Sequence, residues 1–313
     1  MPSKRLATLE ICAGAGGQSL GLERAGFDHA LAVEIDSDAA ATLKLNRPHW
    51  DVHHGDVREI NGKDYRGVDL LSGGVPCPPF SIAGQQLGAS DERDLFPEAL
   101  RLVSEVRPRA VMIENVRGLA GDRFKAYRAS IVEKLHKLGY EADWRLVKAS
   151  DFGVPQLRPR FILVAMKTDL FSRFNWPAEV VEPPTVGETL IDLMQENGWA
   201  GADSWAATAN NIAPTVVGGS KKHGGADLGP TRAKASWLKL GVDGKGIADS
   251  APPADAPVDF VPRLTNRMVA RIQSFDDSWE FSGRKTSMYR QIGNAFPPPV
   301  AASIGTAIRK ALT

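Results

Sequence analysis

Residues 7 to 166 alternate short apolar runs with longer segments in which apolar residues recur every three or four positions. Short apolar runs are typical of buried strands, and the longer periodic segments are typical of amphipathic helices. The predicted strands are Ala7–Cys12, Ala30–Ile35, Val68–Ser72 and Ala110–Glu114, and the predicted helices are Ser19–Gly26, Asp38–Leu45, Leu95–Glu105 and Phe124–Leu138. This β-α-β-α order predicts an α/β fold, with a doubly wound, mostly parallel sheet that carries helices on both faces.

The pattern changes after Met166, where the chain becomes rich in Pro, Gly, Ala and Asp. The composition of Val217–Gly229 predicts a flexible basic loop, and that of Ala251–Pro262 predicts a linker or hinge. Pro298–Leu312 predicts a final helix with one apolar face that returns to the first domain. We therefore predict a larger domain from residues 1–175 and 286–313, and a smaller one, with its hinge, from residues 176–285.

Composition narrows the class of protein but does not identify its ligand. The 313 residues are 43% hydrophobic and 24% charged, which is typical of a globular domain. The formal net charge of +1 neither indicates nor excludes a nucleic-acid binder, because a basic cleft can lie on a neutral protein. Two cysteines exclude a disulfide framework, the histidine spacing predicts no metal site, and no apolar run is long enough for a membrane span. We expect a cytoplasmic protein.

The first predicted strand runs into a glycine loop, Ala13–Gly17, and then into a helix. Ser19 stands where a dinucleotide-binding G-x-G-x-x-G pattern would have its third glycine. Glu34 ends the next strand, where a carboxylate can bind both hydroxyls of a ribose, and Asp56 follows the third strand. The pattern favours an adenosine compound as cofactor, with a turn-forming glycine cluster beside surface acids as the alternative.

Cys77 lies between two prolines just beyond the fourth strand. In a doubly wound sheet the first and fourth strands flank the switch point where ligands bind, so Cys77 would face the glycine loop. Glu114 ends the fifth strand at the same edge. A lone cysteine is more often a small buried apolar residue, but this one precedes a long polar loop, Ser81–Asp94, that could close over a substrate.

Three polar residues precede the strongly β-prone run near residue 160. Alternation along a strand would put Gln156, Arg158 and Arg160 on one side, where they could face a substrate or an anion. A solvated edge strand is the alternative for this piece in isolation.

Taken in chain order, these pieces resemble the motifs of cytosine-C5 DNA methyltransferases. The matching stretches are AGAGG with Glu34 and Asp56, GGVPCPPFS, ENV, QLRPR and QIGNAFPPPVA, and they cover nearly all of residues 7–166 and 263–311. The resemblance implies a Rossmann-like, class I S-adenosylmethionine-dependent methyltransferase fold. It also places the family's variable target-recognition region at residues 177–260.

The same resemblance implies a reaction. The methyl group of S-adenosylmethionine would pass to carbon 5 of a flipped-out cytosine in duplex DNA, leaving S-adenosylhomocysteine. The thiolate of Cys77 would add to carbon 6 and Glu114 would supply the proton at N3, with Arg158 and Arg160 completing the catalytic set.

The family also implies which residues bind the cofactor, whereas the DNA-binding candidates follow from charge and loop position. The cofactor positions are Cys12, Ala13, Gly14, Gly16, Gly17, Glu34, Ile35, Asp56, Val57, Pro76, Asn294 and Ala295. Cys12 is a departure, because many members have Phe there, packed on the adenine ring. The DNA-binding candidates are Ser81, Gln85, Arg93, Lys221, Lys222, Thr231 and Arg232.

The expected partner is double-stranded DNA, bound by a monomer in a restriction–modification or epigenetic setting, with any cognate endonuclease acting separately. Three rivals remain. Relatives that methylate transfer RNA carry a Cys-Phe-Thr signature that is not found here. A nucleotide-dependent oxidoreductase is disfavoured by the missing third glycine, and a non-catalytic DNA-binding regulator by the intact Cys77, Glu114 and Arg160.

Overall fold

The computed structural model describes residues 6–76, 94–178, 181–219 and 225–313. The chain divides into two compact units. The first unit comprises Met1–Val147, Pro159–Pro177 and Ala301–Thr313, and the second comprises Lys148–Arg158 and Ala178–Val300. The second unit therefore extends beyond the predicted limits 176–285 at both ends, and its target-recognition role stays a prediction.

A seven-stranded sheet organises the first unit. Its strands are β1 (Leu6–Ile11), β2 (Phe27–Glu34), β3 (Val52–His54), β4 (Leu70–Gly73), β5 (Ala110–Val116), β6 (Tyr140–Lys148) and β7 (Pro159–Lys167), although the last residue of β6 falls in the second unit. The spatial order is β3-β2-β1-β4-β5-β7-β6. Strands β1 to β5 pair in parallel and β7 pairs antiparallel with β5, so the predicted doubly wound, mostly parallel sheet is confirmed.

Helices connect the strands of the first unit. They are α1 (Gly17–Arg24), α2 (Ser37–Asn46), α3 (Phe96–Val106), α4 (Lys125–Lys137), α5 (Thr168–Phe171) and α11 (Pro298–Leu312). The predicted helices all form, with ends shifted by one or two residues, and α11 has the predicted bounds. From Ala301 onward α11 belongs to the first unit, as the predicted return of the C-terminus required.

The two sides of the central strands differ in polarity because successive side chains point to opposite faces. Leu9, Ile11 and Leu71 join one core cluster with Leu102 of α3 and Leu135 of α4. On the other side, buried polar side chains pair with each other: Thr8 with Ser72 at 3.2 Å, and Glu10 with His29 at 3.0 Å. The order of the strands reverses between β1 and β4, which places the switch point beside the carboxyl ends of these two strands.

The regular structure described in the second unit is mainly helical. Its helices are α6 (Val186–Gln195), α7 (Ala202–Thr208), α8 (Thr231–Lys239), α9 (Asn266–Ile272) and α10 (Lys285–Asn294). The Ala251–Pro262 segment is packed within this unit, since Trp199 Nε1 donates to the Pro257 carbonyl at 2.9 Å and Ala251 is buried. The segment lies within the second unit rather than between the two units, and its role as a hinge stays a prediction. No helix in the described ranges is both long and apolar enough to span a membrane.

Candidate active site

The glycine loop and Glu34 form one hydrogen-bonded unit at the carboxyl ends of β1 and β2. The Gly14 amide donates to Glu34 Oε2 at 2.7 Å, and the Asp36 amide donates to Oε1 at 2.8 Å. Glu34 is only 8% exposed. Burial raises the pKa of Glu34, and the two backbone amides oppose that rise. The carboxylate is thus held in one orientation and keeps lone pairs for a further donor.

The loop backbone fits a bound ligand. Gly14 has a φ of 56° and Gly16, the N-cap of α1, has a φ of 89°, a region that disfavours side chains. A Cβ on Gly14 would meet no atom within 4 Å, so space lies open beside the loop. Ile35, directly after Glu34, is 66% exposed and offers an apolar surface for a flat ring.

Asp56 follows β3 by two residues. A backbone hydrogen bond joins this segment to the carboxyl end of β2. The Gly55 amide donates to the Glu34 carbonyl at 3.1 Å. Arg58 donates to both Asp56 oxygens, from its backbone amide and from its side chain, each at 2.9 Å. These bonds, with the backbone amide contributing most, lower the pKa of Asp56. Val57, the next residue, is buried.

Cys12 follows β1 and lies among these acids. Burial, with the nearby carboxylates of Glu34 and Asp56, raises the pKa of the Cys12 thiol to about 12. The thiol is therefore neutral at physiological pH and is neither a nucleophile nor an anion there. Its neighbours Ala13 and Gly17 are buried, and the Ala13 amide donates to the Val33 carbonyl at 3.1 Å.

The end of β4 is fixed by the strand beside it. Asn115 Nδ2 donates to the Val75 carbonyl at 2.9 Å, so β5 holds the backbone that leads to the exposed Pro76. Asn115 is the middle residue of the ENV stretch, and no separate role was predicted for it from sequence. Six predicted site residues lie outside the described ranges: Cys77, Ser81, Gln85, Arg93, Lys221 and Lys222.

Glu114 and Arg160 form a buried ion pair. In the antiparallel β5–β7 register Arg160 is opposite Val116, so Arg160 is a diagonal neighbour of Glu114 on the same face. Arg160 Nε lies 2.6 Å from Glu114 Oε1, and both side chains are nearly buried. Burial lowers the pKa of Arg160, an effect that the Glu114 carboxylate opposes. Arg160 fixes the position of the Glu114 carboxylate, which can accept a hydrogen bond from a bound base and relay a proton to it.

The prediction that Gln156, Arg158 and Arg160 share one strand face is wrong. Strand β7 begins only at Pro159, and the first two residues belong to the second unit. Arg158 is fully buried and donates to the carbonyls of Val216, Gly293 and Ala295, each at 2.8 Å.

Gln156 and Gln273 extend this network. Gln156 accepts from the Val216 amide at 2.8 Å and donates to Gln273 Oε1 at 2.8 Å. Gln273 in turn donates to the Ile292 carbonyl at 2.7 Å. Sequence reasoning missed Gln273, because one glutamine at the end of a helical segment carries no local signal. The network fixes the backbone that enters the Val217–Gly229 segment.

Replacing Arg158 with Met is therefore expected to destabilise the second unit. The change leaves three buried carbonyls without their donor, which should lower the free energy of unfolding by about 3 kcal/mol or more. Urea denaturation measures the loss, with Arg232→Met, a change at an exposed arginine of the same unit, as the control. Unchanged stability combined with lost turnover would instead support the predicted catalytic role of Arg158.

Asn294 and Ala295, the remaining predicted cofactor residues, lie in the second unit. Asn294 Nδ2 donates to the Gly219 carbonyl at 3.2 Å, and the Ala295 carbonyl accepts from Arg158. Their role in cofactor binding stays a prediction.

The DNA-binding candidates of the second unit are partly described. Thr231 and Arg232 are exposed in the first turn of α8, while Lys221 and Lys222 lie outside the described ranges. Lys234 pairs with Asp227 at 2.9 Å. Among the described residues, no group of three or more His, Cys, Asp or Glu side chains is placed to hold a metal ion.

Comparisons with known proteins span both units. A family model described as C-5 cytosine-specific DNA methylase matches residues 6–310. Type II methyltransferase M.NaeI of Lentzea aerocolonigenes is 60% identical over 311 residues, covering 98% of this chain and 75% of its own length. Type II methyltransferase M.NgoMIV of Neisseria gonorrhoeae is 54% identical over 312 residues, covering 98% of each chain. The crystal structure of a Spodoptera frugiperda DNMT2 mutant shares the fold, with a TM-score of 0.70 at 16% identity over 97% of this chain and 99% of that one.

Proposed function

This chain belongs to the C-5 cytosine-specific DNA methylase family and is a DNA cytosine-5-methyltransferase. We propose that Cys77 forms a covalent adduct with the target cytosine and that S-adenosylmethionine is the methyl donor. The buried Glu114–Arg160 pair is the observation that carries this mechanism. It supplies a proton-exchanging group at the sheet edge where the glycine loop also ends.

The glycine loop and Glu34 are suited to hold the cofactor. The oriented Glu34 carboxylate would accept from the two ribose hydroxyls, and the exposed Ile35 would pack on the adenine. Gly14 keeps open the space that the ligand needs. When bound, S-adenosylmethionine supplies an electrophilic methyl group next to a sulfonium charge.

The protein activates the cytosine in two ways. The Cys77 thiolate adds to carbon 6, and the electron pair of the C5–C6 double bond moves through the ring toward N3. A proton reaches N3 through Glu114, which is a carboxylate in its ion pair with Arg160 and would take the proton up with the incoming base before passing it on. The Arg160 cation then stabilises the carboxylate that is left. Carbon 5 then resembles an enamine carbon. After methylation, loss of the carbon 5 proton to a base and departure of the thiolate restore the aromatic ring.

DNA recognition falls to the second unit in this proposal. Thr231 and Arg232 are exposed, and an arginine can read guanine in the major groove. A cytosine inside a stacked duplex is inaccessible, so the target base would be flipped out, a step that DNA methyltransferases share with other enzymes that modify bases. We place the protein as a monomer in the cytoplasm, in a restriction–modification setting with a separately acting endonuclease.

Transfer of labelled methyl from S-adenosylmethionine to mixed-sequence duplex DNA tests the proposal. Label at carbon 5 of cytosine is expected, and sequencing the methylated sites gives the target. RNA of the same sequence is the parallel substrate, and label on RNA alone would overturn the assignment to DNA.

Replacing Glu34 with Gln is expected to weaken cofactor binding by about 10- to 100-fold, the scale of hydrogen bonds to a charged group. Because burial raises the pKa of Glu34, wild-type affinity should fall as the pH decreases through that raised value and the carboxylate takes up a proton. The Gln variant should lose this pH dependence. Calorimetric titration over a pH series measures both effects, with Glu59→Gln, an exposed acid near β3, as the control. Equal affinity of the wild type and the Gln variant would contradict the assignment.

A further inference from the structure

The segment from Val116 to Lys125, which leaves β5 just after the Glu114 site, forms an exposed basic surface. We call it the exit segment. Arg117, Arg123 and Lys125 are exposed, and Asp122 is the one acidic residue within it. No ion pair ties these three cations to a carboxylate of the described residues, whereas Arg101 and Arg109 in the same unit are each paired with an acid.

The exit segment is held in one conformation. Leu119 and Phe124 are buried and anchor it to the first unit. Arg128 of α4 donates to the Leu119 carbonyl at 2.6 Å and to the Gly121 carbonyl at 2.9 Å. The Arg123 guanidinium lies 4.7 Å from the centre of the Phe124 ring. The cations are therefore presented from a fixed backbone, which lowers the entropic cost of binding a ligand.

The exit segment lies within reach of the phosphates of the target nucleotide. Arg117 is three residues beyond Glu114, and three extended residues span at most about 10 Å. Glu114 meets the ring of the target cytosine in the proposed mechanism, so the sugar–phosphate of the same nucleotide must pass close to this edge. The apolar residues Leu119 and Phe124 are turned inward. Outward the segment presents three cations beside the acidic Asp122 and the apolar Val116. Charge contacts to phosphate carry no sequence information.

Building on the proposed function, we propose that Arg117, Arg123 and Lys125 bind the DNA backbone flanking the target cytosine. The composition does not predict this basic surface, because the net charge of the whole chain is close to zero. The exit segment would supply sequence-independent affinity and position the strand over Glu114, while recognition of the bases is left to the second unit.

The test is the salt dependence of DNA binding by the triple variant Arg117→Gln, Arg123→Gln, Lys125→Gln. Each lost phosphate contact reduces the slope of log affinity against log salt by about 0.9, so the slope should fall by about 2 to 3. Affinity at about 0.1 M salt should drop by about 10- to 100-fold, equally for methylatable and non-methylatable duplexes. Fluorescence anisotropy with a labelled duplex measures both quantities, and urea denaturation verifies that the variant folds.

A matched control removes the same charge elsewhere on the first unit. Lys63 and Arg107 lie on segments leading into the amino ends of the parallel strands β4 and β5, at the edge away from Glu114, and Lys134 lies in the last turn of α4. Their triple Gln variant should keep the wild-type salt slope. Equal slopes for the two triple variants would overturn the proposal even if the wild type methylates DNA, whereas a wild type that methylates no DNA would overturn the proposed function itself.

Discussion

Replacing Cys77 with Ala is expected to abolish methylation while DNA and cofactor still bind. Without addition at carbon 6, carbon 5 of cytosine is too weak a nucleophile to accept the methyl group. Removing the nucleophile of a covalent mechanism costs more than about 10⁴-fold in turnover. Transfer of labelled methyl under single-turnover conditions, with cofactor affinity measured in parallel, gives the result.

A trapping experiment identifies the sulfur that forms the adduct. A target cytosine with fluorine at carbon 5 has no proton there to lose, so the thioether bond to the enzyme should persist after methyl transfer. Cys77→Ala should form no such complex on a denaturing gel.

Cys12→Ala is the matched control for this trapping, because the chain has two cysteines. The Cys12 thiol, with its pKa raised to about 12, stays protonated at physiological pH, so its removal should leave the adduct intact at saturating cofactor. Loss of the adduct in Cys12→Ala alone, or methylation by Cys77→Ala, would show that the nucleophile is misassigned.

The position of the glycine loop, Glu34 and Asp56 at one edge of the sheet could be predicted from sequence because its signals are local. Each of β1, β2 and β3 is followed within a few residues by its functional group: the glycine loop, Glu34 and Asp56. Parallel strands bring their carboxyl ends to one edge, so the strand pattern alone was enough to bring these groups together. The bond from Gly14 to Glu34 fulfils that expectation in detail.

The Gln156–Arg160 stretch was misread because its structure depends on distant partners. The alternation argument assumes one continuous strand. In the structure Gln156 forms an isolated β-bridge with Ala213, far along the chain, and β7 begins only at Pro159. Arg158 is held by carbonyls near residues 216 and 295. Nothing in five consecutive residues specifies such contacts, so the sequence could not show that Arg158 is buried among these carbonyls.

Glu114 was placed at the sheet edge because the predicted strand ended there, but its pairing with Arg160 was not predicted. The pair exists because β7 lies antiparallel beside β5 in a register that sets the two residues diagonally opposite. A strictly parallel reading of the sheet gives no such neighbour. In this register the Arg160 cation compensates the charge of the Glu114 carboxylate within the fold.

Glu114→Gln is expected to slow methyl transfer by about 10²- to 10⁴-fold, the range for loss of a general acid. The amide keeps the shape of the side chain and can still hydrogen bond to the base, but it has no proton to give to N3. DNA affinity should therefore change little while the single-turnover rate falls. Glu98→Gln is the matched control, because Glu98 also pairs with an arginine, Arg101, at 2.7 Å in the same unit.

The rate of a double variant shows whether Glu114 and Arg160 act together in catalysis. Arg160→Met removes the cation that stabilises the carboxylate after proton transfer, so it should also slow the reaction. If the two side chains act as one unit, the Glu114→Gln, Arg160→Met double variant should be hardly slower than the slower single variant. Rate losses that multiply in the double variant would mean that Arg160 acts independently of Glu114, and a Glu114→Gln enzyme with the wild-type rate would rule out proton transfer at N3 by this carboxyl group.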